Sequence, residues 1–217
     1  MYSYPFCSEI DQLGIKPVVF QTSCTNLASR LLLLSDLDPS DWPPPSITPT
    51  KDLHPPSPIA ISIPRFFALL QTCVLNASLS SLRRHSLNLP ALQRMVDQIS
   101  LSLSSPPLDD LGIVDLSQGR GPLDVVSLPP LDQPTEEEFR HVSFALLHAI
   151  EDDVSEHVEP SNLPVCTLLV VFATAYQWFR NFVSLGAITE SQVHWMFSAI
   201  LDVVAEPLDS CDQATVH

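Results

Sequence analysis

The chain has 217 residues, is 45% hydrophobic and carries a formal net charge of −15, with a sequence pI near 4.5. That apolar fraction is enough for a real core, and the charge excludes a general binder of phosphate backbones, which depends on Lys and Arg neutralising phosphates. The only lysines are Lys16 and Lys51, so acidity of this size favours solubility and basic partners and is silent about fold.

Residues 1–37 are expected to form an N-terminal segment with one helix. Val18-Val19-Phe20 fits a short strand or a docking segment. Asn26 to Leu37 reads as the helix, with Thr25 as N-cap and Leu31-Leu32-Leu33-Leu34 as its apolar centre. Residues 38–64 are a Pro-rich linker or arm. Asp38 to Pro64 holds nine prolines, which neither a helix interior nor a central strand accommodates. Trp42 lies within it and is a candidate docking residue.

Residues 65–208 are expected to form the helical domain, with 209–217 as a tail. Arg65 to about Ser80 resumes a helix through Phe66, Phe67, Leu69, Leu70, Cys73 and Val74. Pro90 to Ser104 follows, with Leu92, Met95, Val96, Ile99 and Leu103 at helical spacing. Residues 105–134 form a loop rich in proline that holds three of the five glycines. Within it, Ile113-Val114-Asp115-Leu116 and Leu123-Asp124-Val125-Val126 flank Gly119-Arg120-Gly121, a pattern that permits a small β-hairpin. Thr135-Glu136-Glu137-Glu138 matches a capping box with acids at the positive end of the helix dipole, opening a helix to about Val154.

The chain is organised around Ser161 to Leu208. A helix entered at Ser161 or Leu163, past Pro160 and Pro164, runs through Val165–Phe179 and is apolar nearly all round, as a central buried helix is. The run is shorter than the roughly 20 residues of a bilayer span, and Arg180 and Asn181 close it. Gly186 suits a left-handed C-terminal cap. Thr189-Glu190-Ser191-Gln192 is a second capping box, and Val193, Met196, Phe197, Ile200, Leu201 and Val204 share one helical face until Pro207 ends the helix. The short link makes these two helices an antiparallel hairpin. The fold class expected is mainly α, a helical bundle around that buried hairpin.

The five cysteines, Cys7, Cys24, Cys73, Cys166 and Cys211, are odd in number and scattered without a CxxC. This excludes a disulfide framework or zinc site and fits reduced thiols in an intracellular, cytoplasmic setting. No basic region followed by an apolar run marks a signal peptide.

No catalytic, cofactor or metal site stands out. Glu151, Asp152, Asp153, Glu156 and Glu159, with His157 among them, lack the glycine and alternating oxygen ligands of a calcium loop and read as a solvated helix end. His141 and His148, seven apart, do not make a zinc site without further ligands. Gly119-Arg120-Gly121 lacks a dinucleotide loop's third glycine, and there is no HExxH, GxSxG or Walker A sequence. Cys166 lies in the apolar run, where burial keeps a thiol inert. An enzyme would need a pocket converging on His141, His148 and the acids near Glu151.

Two functions of different class fit. Leu, Ser and Pro exceed a third of the chain while Lys and Gly are scarce, a bias common in compact viral genomes. With Pro-rich arms around a helical body, it points to a structural or assembly subunit, virus-encoded and coat-like, residing in the virion. Such a subunit would meet nucleic acid with few cations or with protonated histidines. The second is an interaction module. Leu27, Leu31, Leu34, Ser35 and Asp36 resemble a BH3 segment, and the buried hairpin is similar to the central helices of Bcl-2-like proteins. The resemblance covers about a dozen residues and a general helical pattern. That family's Asn-Trp-Gly-Arg signature is missing from the Val165 helix, and the long proline loop follows the BH3-like stretch instead of preceding it. The resemblance implies helix-in-groove recognition in a host pathway, with Leu27, Leu31, Leu34, Asp36 and Trp42 as candidate interaction residues. Both functions imply protein partners or self-assembly, no cofactor and no membrane span.

Overall fold

The structure, a computed structural model, describes residues 5–36, 63–103, 135–184, 186 and 188–212; of residues 36, 63, 64 and 206–212 it describes the backbone alone. The described residues form seven α-helices and one 3-10 turn and no strand: α1 (Cys7–Gln12), α2 (Pro17–Asp36), α3 (Ile63–Arg83), α4 (Leu89–Leu103), α5 (Glu136–Val154), α6 (Leu163–Ser184) and α7 (Glu190–Asp212). The protein is a mainly α bundle. The proposed β-hairpin in 105–134 and Trp42 lie outside the described residues.

Helix α6 is the axis. Every residue from Cys166 to Tyr176 is buried, and α2, α3 and α5 pack around it. Among the described residues it is the one helix long and apolar enough to cross a membrane, and most of that apolar surface is covered by protein. Pro160 opens the 3-10 turn Pro160–Asn162 that leads into α6. At the other end Gly186 takes φ +69°, and the Ile188 amide donates to the Phe182 carbonyl, closing the helix with the left-handed cap that a glycine reaches without steric cost.

Aromatic side chains carry the core outward from α6. Phe172 meets Phe6, just before α1, at 6.4 Å and Phe197 of α7 at 5.9 Å. Phe179 stacks on Phe67 of α3 at 5.5 Å, and Phe66 lies 4.8 Å from Trp178. Such ring pairs add about 0.5–1.5 kcal/mol each beyond the area they bury. Helix α3 can lie close to α5 and α6 because Ala77, Ser78 and Ser81 are small and buried on its inner face. Two of its buried polar groups bond to the neighbouring helices. Asn76 donates to Ser143 Oγ at 2.6 Å, and Ser81 donates to the Pro164 carbonyl at 2.9 Å.

Four expectations are corrected. Residues 7–36 contain two helices, not one, and they share the core of the remainder instead of forming a separate segment. Val18-Val19-Phe20 is the first turn of α2, not a strand. Thr25 is therefore an interior residue, its hydroxyl bonded back to the Gln21 carbonyl at 3.0 Å, not an N-cap. Helix α7 continues through Pro207 to Asp212; a proline there forfeits one backbone hydrogen bond, and the helix carries on for its last turn. Helix α7 also packs on α3 and α4, and within the hairpin the Phe197 ring meets Phe172 and Phe179 of α6.

Both capping boxes form. Thr135 Oγ1 accepts from the Glu138 amide and Glu138 accepts from the Thr135 amide at 2.7 Å; Thr189 and Gln192 repeat the arrangement. The bonds from the Thr135 backbone amide, then its hydroxyl, hold the Glu138 carboxyl below its ordinary pKa, since both favour the charged form.

One helix end is strained. After α3, His85 takes φ +53° where the chain needs the left-handed region, and the Ser86 amide bonds the Ser81 carbonyl at 3.0 Å. This is a glycine-type C-cap occupied by a branched residue, at a cost of about 1–2 kcal/mol. His85→Gly is expected to stabilise the domain by about 1 kcal/mol, less than the full strain because glycine loses more chain entropy on folding. Urea denaturation midpoints compare the two chains, and an unchanged or lower midpoint for the variant would show that His85 makes a compensating contact.

Candidate interaction cleft

Three helices converge on a cleft of about 120 Å³ lined by Ala77, Ser80 and Arg84 of α3, Phe144, Leu147, His148 and Glu151 of α5, and Pro164 and Thr167 of α6. The inward turn of α5 follows from its sequence. Val142, Leu146 and Ile150 face the core, which leaves Arg140, Phe144 and His148 on the outer row one turn apart. Arg84 comes from the last turn of the long α3, set across from α5 by the close packing of those helices.

The cleft has an apolar body with a polar floor and rim. Ala77, Leu147, Pro164 and Phe144 supply the carbon surface, and Phe144 is 41% exposed. At the floor, Thr167 is 3% exposed and its hydroxyl has no hydrogen-bond partner. A buried polar group left in this state costs about 1–3 kcal/mol. On the rim, Glu151 lies 3.5 Å from an Arg84 nitrogen and 3.3 Å from His148 Nδ1.

The cleft thus joins His148 to Glu151, as an enzyme would require, but leaves His141 outside the lining. Ser80 lines it too, yet no hydrogen bond joins Ser80 to His148, and His148 is 73% exposed. A base so hydrated, with no nucleophile bonded to it, lacks the paired geometry of nucleophilic catalysis. Of the other acids, Asp153 is bonded by Arg30 and Asn26, outside the cleft. Among the described residues no three His, Cys, Asp or Glu converge as metal ligands do. Cys73 and Cys166 are buried, and burial pushes each thiol up to about 12, so both remain protonated and unreactive.

No protein-family model, curated protein or solved structure matches this chain.

Of the residues expected to meet a partner, those described lie outside the cleft. Leu27, Leu31 and Leu34 are in the core against α6 and offer no surface in this state, and Ser35 is buried with its hydroxyl bonded to the Leu31 carbonyl at 2.7 Å. Asp36 ends α2. The sequence carries no sign of the cleft as a unit beyond the condition that an enzyme would need a pocket converging on His141, His148 and the acids near Glu151. Arg84, 67 residues upstream of Glu151 by the numbering, has no local signal linking it to them.

Proposed function

We propose that this chain is a non-enzymatic protein-interaction module whose cleft between α3, α5 and α6 receives an apolar side chain from a helical partner segment. The carrying observation is the orphaned Thr167 hydroxyl at the floor of a cleft of mixed apolar and polar lining, with Phe144 exposed at its edge. Removing Phe144 from water releases apolar surface at about 25 cal/mol per Å², and a polar group on the incoming segment relieves Thr167. This is the helix-in-groove mode, in which a few apolar anchors enter a groove formed between helices. The exposed His148–Glu151 pair, without a bonded nucleophile, supports binding over catalysis.

An assembly subunit would use the same cleft differently, with the segment supplied by another copy of the chain. Light scattering on the full chain at about pH 5 and about pH 7.5, with and without nucleic acid, separates the two. A monomer is expected under all conditions. Ser80→Phe, which puts a ring into the cleft, is expected to weaken peptides selected against the wild-type chain by about tenfold or more. Closed oligomers or particles that Ser80→Phe disperses would give the site to self-assembly. Selected peptides indifferent to Ser80→Phe would remove the cleft from consideration.

A further inference from the structure

The outer row of α5 is ordered by charge. Centred on Phe144, it reads Glu137, then Arg140 and His141, then Phe144, then His148, then Asp152, and all of these are exposed. At a rise of 1.5 Å per residue the basic groups lie about 6 Å to either side of Phe144 and the acids about 10–12 Å away. The Arg140 guanidinium sits 5.9 Å from the Phe144 ring. From across the cleft, α3 adds Arg84, held at the row by Glu151, and the exposed Arg83 and His85 beside it. Among the described residues Glu151 is the one acid inside this zone, and its oxygens face Arg84 and His148. In a chain of net charge −15, the centre of this face reverses the sign of the whole.

We infer that the partner segment carries the inverse pattern: acidic side chains within one turn of the anchor that enters the cleft beside Phe144, and basic side chains about two turns from it. This rests on the cleft reading above. Charge complementarity selects partners and register by penalising like charges brought together, more than it adds affinity. The same pattern argues against a second copy of α5 as the occupant. A two-fold contact centred on Phe144 would set Glu137 against Asp152, like on like. Nucleic acid also fits poorly, because its uniform negative charge would meet Glu137 and Asp152 at the ends of the row.

The test is a display library of helices of about 20 residues. Its anchor is varied among Leu, Phe and Met, and its flanking positions among Glu, Lys and Ser. The library is panned on the full-length chain and counter-screened on Ser80→Phe. Clones specific to the open cleft are expected to be enriched about fivefold or more in Glu within one turn of the anchor and in Lys two turns out. The Arg84→Glu/Arg140→Glu double variant is expected to reverse the inner preference to Lys. Cleft-specific clones with no charge bias, or with the bias reversed, would overturn the inferred pattern and leave the cleft reading intact. No clone distinguishing the open from the plugged cleft would overturn both. A labelled single-stranded oligonucleotide that binds the wild-type chain and is lost with the double arginine variant would replace the peptide partner with nucleic acid.

Discussion

Phe172→Ala is expected to cost about 3–5 kcal/mol, at the top of the range for a core truncation. Domains of this kind have a total stability of about 5–15 kcal/mol, so the variant should be partly unfolded at body temperature. Phe172 is fully buried at the middle of α6, with Phe6 on one side and Phe197 on the other. Truncation removes the transfer energy of the ring and leaves a cavity between α6, Phe6 at the entry of α1 and Phe197 of α7, which cannot all collapse inward together. Because one ring ties both α1 and α7 to the axis, the loss should also be uneven. Amide hydrogen exchange should accelerate in α1 and in the first half of α7 before it does in α3 and α5, which hold to each other and to α6 by other contacts. Urea denaturation gives the total and exchange gives its distribution. A loss below about 1 kcal/mol would mean that α6 is not the axis of the fold.

How much of this was legible in the sequence depends on whether the signal is local. The capping boxes at Thr135 and Thr189 and the cap at Gly186 are local chemistry, three residues reading one another, and they set three helix ends to within a residue. Helix α6 was legible because a run apolar on all sides has few places to go except the centre. The beginning of α2 was not, because Val18 and Val19 are β-branched and Gln21, Thr22 and Ser23 break any apolar run. A stripe was nevertheless present. Phe20, Cys24, Leu27, Leu31 and Leu34 are all buried, at spacings of three and four, and starting the count at Phe20 rather than at Asn26 would have found it. The hydroxyls that looked like caps or breakers satisfy themselves within the helix, Thr22 on the Val18 carbonyl and Ser29 on the Thr25 carbonyl. The cleft was illegible as a site because its sides come from three helices, and only packing sets Arg84 beside Glu151. The charge order along α5 was in plain view, but its meaning depends on which face of the helix is outward, and that is tertiary information.

Asp153→Ala is expected to cost about 2–3 kcal/mol, out of proportion to the one residue removed. Asp153 accepts from Arg30 Nη1 at 3.0 Å, from Arg30 Nη2 at 3.5 Å and from Asn26 Nδ2 at 3.2 Å. This is the polar tie between α2 and α5. Its two sides differ in solvation: the Arg30 side chain is 7% exposed and that of Asp153 is 24%. Arg30 Nε already lacks a hydrogen-bond partner. Without Asp153 the guanidinium would be a buried cation with no counterion, and Asn26 would lose its acceptor too. Removing one member of a buried pair typically costs about 3–5 kcal/mol, and the partial exposure of Asp153 lowers the figure here. Intact, the pair adds little net stability, because desolvating both charges offsets most of their attraction. The two statements together make a sharper prediction than either. Arg30→Met with Asp153→Leu, which replaces the pair by carbon of similar volume, should return to within about 1 kcal/mol of the wild-type chain. Completed with the Arg30→Met and Asp153→Leu single variants, the cycle would then show a coupling of about 2 kcal/mol or more between groups whose joint removal is nearly free. If the double variant instead falls as far as Asp153→Ala, the pair is holding α2 in register on α5, and its directional bonds, not its charge balance, are what the fold requires.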